Sequence, residues 1–289
     1  MLYTIKNENL EVSISSLGAE LKKILFNGED RLHDSNPKYW GRSAPILWPN
    51  IGTINASFDG VKYPMKKHGI LRDLEFTLVS KLENEITLER KSDESTRINY
   101  PFDWTVQVTY ILEGTNIKSF INIKNDGEKV LPFNLGLHPA FKIPISKDED
   151  PEDYQIEFGK KGTYEMPTVN LENGTIDFMK RYRTFTDLEV LPVVYKDYDY
   201  DALVFENINT HKVTLTHKTN HHGVTFTFDD FPMLGIWSPM DKRAPFICLE
   251  PWIGCADRPD SNGDFMTKRD LIKLNKGESK TIQYNLLFF

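Results

Sequence analysis

Four stretches of this chain carry side chains that neither turns nor a hydrophobic core requires. Glu250 ends the apolar run Phe246-Ile247-Cys248-Leu249 and is followed by Pro251 and Trp252. A carboxylate is seldom buried alone, so Glu250 calls either for a cationic neighbour such as Arg42 or Arg72, or for a chemical task. Pro251 cannot donate to a sheet ladder, which predicts a strand end from which Glu250 projects into a cleft. His138 lies in Asn134-Leu135-Gly136-Leu137-His138-Pro139-Ala140-Phe141. A histidine in such surroundings is either a satisfied core residue or a proton carrier. His68 precedes Gly69 in His68-Gly69-Ile70-Leu71-Arg72-Asp73, where the glycine leaves room for a ligand to approach. Arg42 sits among aromatic, small and proline residues between Trp40 and Gly52. That company implies a fixed partner, whether a structural carboxylate, a backbone carbonyl or a bound anion.

The elements that must position these residues read as strands. Leu2 to Lys6, Leu10 to Ser15 and Leu21 to Phe26 form an opening β-meander, and the pairs Asn27-Gly28, Asp59-Gly60, Asp126-Gly127 and Asn173-Gly174 read as hairpin turns. Apolar and polar residues alternate in 105–110, 212–216 and 224–228, so one face of each strand is buried. No stretch sustains an apolar repeat at helical spacing, so helices should be few and short. The expectation is an all-β chain, a mainly antiparallel single-domain β-sandwich spanning residues 1–289.

Composition narrows the classes further. With 289 residues, 39% hydrophobic and 12% aromatic, the chain can bury a large core. A net charge of −7 argues against nucleic acid as a partner. Cys248 and Cys255 cannot staple a secreted domain, and no run approaches the roughly 18 apolar residues of a membrane span. The opening residues Met1 to Glu8 do not resemble a secretory signal, so a cytoplasmic location is expected. No phosphate-binding glycine loop, nucleophile elbow or zinc-ligand spacing is present, which predicts neither nucleotide cofactor nor metal. His211, His217, His221 and His222 surround a hairpin turn and read as solvent-facing, and the acidic stretch Lys147 to Asp153 reads as a solvated loop.

Taken together, six fragments in order resemble the aldose 1-epimerase family, the galactose mutarotase-like proteins, and within it the LacX-type branch. They are Gly41 to Pro45 with Trp48-Pro49, His68 to Asp73, Gly136 to Phe141, Asp201 to Phe205, Leu234 to Pro239, and Cys248 to Trp252. The resemblance covers nearly the whole chain and implies the family's large β-sandwich, or supersandwich. It also implies a cofactor-independent mutarotase acting on a small-molecule sugar, with the chain a monomer or homodimer and no membrane partner. By resemblance Glu250 is the general base, His138 the general acid, His68 a second active-site histidine and Asp201 the group that grips sugar hydroxyls. Arg42 and Arg72 resemble cleft arginines of hexose-6-phosphate mutarotases, which keeps a phosphosugar open as substrate. Trp237 or Trp252 would face the apolar side of a pyranose. In such a cycle a base takes the anomeric hydroxyl proton while an acid protonates the ring oxygen. Working at neutral pH then favours a desolvated Glu250 and a protonated His138. Two departures from the family pattern stand out. Gly52-Thr53-Ile54-Asn55 lacks an arginine, and Ile70-Leu71 replaces Phe-Ala after His-Gly. A non-catalytic sugar-binding protein on the same fold is the competing reading.

Overall fold

Strict alternation organises two ten-residue strands of the computed structural model, which describes all 289 residues. In Trp104–Glu113 the residues Trp104, Val106, Val108, Tyr110 and Leu112 are buried, and the side chains between them are half-exposed. Asn116–Asn125 repeats the pattern in register, so apolar side chains of both strands fall on one face. These two strands lie inside a nine-stranded antiparallel sheet. Its order runs Ile176–Pro192, Tyr154–Val169, Lys212–His217, Gly223–Thr227, Ser279–Phe288, Asn116–Asn125, Trp104–Glu113, Glu85–Lys91, Thr77–Lys81.

A second sheet of six strands carries the site. It runs Leu203–Phe205, Met233–Trp237, Phe246–Ile253, Leu135–Leu137, Ile46–Leu47, with Ala140–Lys142 pairing a further stretch of Phe246–Ile253. The opening meander, Leu2–Lys6, Leu10–Ser15 and Leu21–Phe26, forms a small sheet with Glu29–Asp30. Inward side chains of all three sheets join one cluster of buried residues, which makes the architecture a β-sandwich. The only α-helix is Glu94–Arg97, closed by a capping box between Asp93 and Thr96.

Four sequence expectations change here. The first concerns Pro251, which does not end its strand: Phe246–Ile253 runs through it, with all eight residues buried. Leu249 N–H points to Pro139 O, and Pro251, two residues on, faces the same side. That side is the break between Leu135–Leu137 and Ala140–Lys142, where no ladder donor is needed. Asp126-Gly127 is likewise not a hairpin turn. Neither residue has positive φ, Gly127 N–H bonds to the Asn125 side chain, and the chain leaves for a pairing between Leu131–Phe133 and Ile272–Leu274.

The histidine cluster is only partly solvent-facing. His217 is buried and accepts from the backbone of Thr219 and Asn220, while His222 faces Tyr154 and Glu149. Glu149 in turn accepts from Tyr154 at 2.5 Å and from Asn220, so the acidic stretch is anchored at that residue rather than free in solvent.

Candidate active site

The break in the six-stranded sheet turns the chain at His138-Pro139 and brings His138 against the neighbouring strand, where Glu250 stands. His138 Nε2 lies 3.3 Å from Glu250 Oε2. Both side chains are almost wholly buried, yet both line a cleft of about 440 Å³, a size typical of small-ligand sites. Burial pushes the Glu250 carboxyl well above the ordinary carboxylate range, and the negative charge of Asp201 adds to the effect. The same desolvation takes His138 down to about 3, helped by the positive charges of Arg72 and Lys67. Burial thus works against the protonated resting His138 expected from the sequence: it lowers the imidazole and raises the carboxyl, which favours a neutral His138 beside a protonated Glu250, one proton shared across the pair.

Three aromatic or heteroaromatic rings enclose His138. Trp40 stacks on it at 4.4 Å between ring centres, Trp237 meets it edge-on at 5.5 Å, and His68 lies edge-on at 5.9 Å. His68 Nδ1 accepts from Gly52 N–H at 3.1 Å, so the neutral ring carries its proton on Nε2. It stays neutral because burial and the charges nearby hold its pKa well below the ordinary value. Gly69 serves the backbone rather than a ligand: at φ 75°, an added Cβ would come within 2.0 Å of Trp48 O.

Asp201 sits in the left-handed region at φ 73°, with Oδ1 accepting from Ala202 N–H and Oδ2 without a partner. Trp252 lies flat against its neighbouring strands because Gly235 and Gly136 leave room for it. A Cβ on Gly235 would meet Trp252 Cζ2 at 2.5 Å.

Six of the eight residues named from the sequence, Glu250, His138, His68, Asp201, Trp237 and Trp252, thus line one cleft. Arg42 and Arg72 do not. Arg42 is bound to Asp73 at 2.6 Å and to the Arg72 carbonyl at 2.8 Å, with Glu20 at 3.9 Å. Glu20 also accepts from the backbone of Ser43 and Ala44, so the arginine belongs to the anchor of its own loop. Arg72 donates to the Lys67 carbonyl and acts on the histidines only through its field. Neither arginine pairs with Glu250.

The cations that do line the cleft are Lys67 and Lys242. Lys67 has no carboxylate partner, and Lys242 reaches only the Tyr39 carbonyl at 3.1 Å. Sequence reading passed over both, although Lys67 directly precedes a motif it had singled out, and it gave no role to Trp40, the first residue of another such stretch. It also missed Val169, Leu171 and Ile176 at the tip of the long hairpin, which close one side of the cleft. No local pattern marks them, because only the sheet topology brings that tip to the site. The tip is held by Ile176 N–H bonding to Asp257 O, and Asp257 forms a buried ion pair with Lys268 at 2.7 Å. Cys248, on the same strand face as Glu250, completes a buried group with His138 whose ligand atoms all lie within 4.8 Å.

Known proteins match this chain over nearly its whole length. The sequence profile of the aldose 1-epimerase family matches residues 1–284, and the chain belongs to that family. Two LacX proteins of Lactococcus lactis, one plasmid-borne and one chromosomal, are each 30% identical and align over 99% of both chains. Among solved structures, a galactose mutarotase related enzyme from Lactobacillus acidophilus superposes with a TM-score of 0.94 at 28% identity, covering 100% of this chain and 97% of that one. A galactose mutarotase-like protein from Lactobacillus casei gives 0.91 at 28% identity with both chains fully covered. The fold is the galactose mutarotase-like one. No helix is long and apolar enough to cross a membrane.

Proposed function

We propose that this protein is a mutarotase that interconverts the α and β anomers of an aldose by general acid–base ring opening and closing. The observation that carries this reading is the buried His138–Glu250 pair, 3.3 Å apart in the wall of a cleft. Transfer of the shared proton from Glu250 to His138 creates a base and an acid at once, without uptake from solvent. Glu250 then takes the anomeric hydroxyl proton while His138 protonates the ring oxygen, and the ring opens to the aldehyde. Rotation about C1–C2 exposes the other carbonyl face. Closure returns both protons, so the cycle uses no redox equivalents and no cofactor. Asp201 Oδ2 accepts from sugar hydroxyls, His68 Nε2–H donates to them, and Trp237 or Trp252 offers a face to the pyranose.

A 6-phosphosugar is the second reading of the substrate, and Lys67 with Lys242 favours it, because two cations without carboxylate partners flank the cleft. Exchange NMR with pure anomers of free and 6-phosphorylated hexoses tests both. Acceleration of neither sugar type would leave a non-catalytic sugar-binding protein.

A further inference from the structure

We propose that His138, Cys248 and Glu250 form a binding site for a divalent cation of the zinc class, seated beside the acid–base pair. Cys248 and Glu250 are two apart on one strand and so point to the same face. Cys248 pairs across the sheet with Ala140, two residues beyond His138, which brings the imidazole to the same place. The His138 Nε2 to Glu250 Oε2 distance is 3.3 Å. Tetrahedral zinc, with bonds of about 2.0–2.2 Å to nitrogen and oxygen, needs these atoms roughly 3.3–3.5 Å apart. The sulfur already lies within 4.8 Å of both and closes a third corner by a shift of about an ångström.

The donor set selects the ion. One thiolate, one imidazole and one carboxylate suit zinc and its thiophilic relatives, whereas magnesium and calcium prefer oxygen alone. On binding, the Cys248 thiol and the Glu250 carboxyl each release a proton to solvent, and neutral His138 gives its Nε2 lone pair. Because His138 and Glu250 line the cleft, the ion reaches them from it. The site therefore competes with proton transfer rather than assisting it. That last consequence rests on the mutarotase reading, but the binding itself does not.

The test is a titration of the chelator-stripped full chain with cobalt(II) and zinc. The expected result is one ion per chain and a thiolate-to-cobalt charge-transfer band that zinc removes and excess magnesium does not. Cys248→Ala should abolish the band and weaken zinc at least ten-fold, and Cys255→Ala, altering the other buried free thiol, should leave both unchanged. Absence of the band from the wild-type chain would overturn the proposal without recourse to any variant, and so would a band lost in Cys255→Ala but kept in Cys248→Ala. If the chain exchanges anomers, zinc should inhibit it and chelator should restore the metal-free rate. Zinc-insensitive turnover at a concentration that saturates the cobalt-competition site would contradict the placement beside the pair. If the chain exchanges no anomers, the mutarotase reading fails while the titration still decides the metal site.

Discussion

Replacing Trp40 with alanine tests why His138 is neutral. The indole covers one face of the imidazole at 4.4 Å, and burial is the main reason that His138 titrates at about 3 rather than 6.5. At 1.36 kcal/mol per pH unit, that gap means charging His138 in the folded protein costs about 5 kcal/mol. The sign follows from linkage. Because the folded value is depressed, the native state binds fewer protons than the unfolded chain below pH 6.5, so this contribution to stability is complete above 6.5 and is lost as pH falls towards 3. Opening one face to water should recover a substantial part of the gap, raising His138 by roughly one to two pH units, on the order of 2 kcal/mol. The assay is an NMR titration of the His138 imidazole, paired with urea denaturation across the acid range. Trp40→Ala should move the titration upward and flatten the fall in stability between pH 6.5 and 3, relative to its own value at pH 7. His138→Asn should remove that component altogether. An unmoved titration in Trp40→Ala, with water admitted to the ring, would refute desolvation as the cause.

Other expectations follow from the same geometry. Gly235→Ala should lower the melting temperature, because the new Cβ would fall 2.5 Å from Trp252 and the ring cannot rise without leaving its bed; an unchanged melt would show that the sheet yields there. Asp201→Asn should raise KM more than it lowers kcat, as measured by initial-rate polarimetry, since the carboxylate is assigned to hydroxyl binding. Lys67→Ala should weaken a 6-phosphosugar by about ten-fold to a hundred-fold, the worth of a charge-assisted contact of about 1.5–3 kcal/mol, and leave a free sugar nearly untouched. Arg42→Ala, which loses the bond to Asp73 instead, should lower stability without changing that preference, as thermal melts beside kinetics would show.

Much of this fold was legible because strand alternation is a local signal. The opening meander and the strands around Val106 and Phe226 appear where apolar and polar residues alternate. Glu250 and His138 stood out because each is a polar group in an apolar stretch, and the family resemblance gave them a common place. What sequence could not supply was direction. Arg42 and Lys67 are both cations beside recognisable motifs, but only the folded chain shows Asp73 and Glu20 claiming the arginine while the lysine stays in the cleft. The state of the pair was equally hidden, because it depends on Trp40 and on a sheet break that no single strand reveals. The hairpin tip at Leu171 reaches the site through sheet topology alone.

The central claim is that Glu250 and His138 exchange anomers as one acid–base pair, and the most direct measurement is the decay of optical rotation from a pure hexose anomer, free and 6-phosphorylated, with wild type and Glu250→Gln side by side. The amide keeps the shape of the side chain but cannot take a proton, so wild type should accelerate equilibration of at least one sugar, and the variant should bind that sugar while losing about 10²–10⁴-fold in kcat. Near-normal turnover by Glu250→Gln, or no acceleration by wild type of any anomer it binds, would contradict the claim.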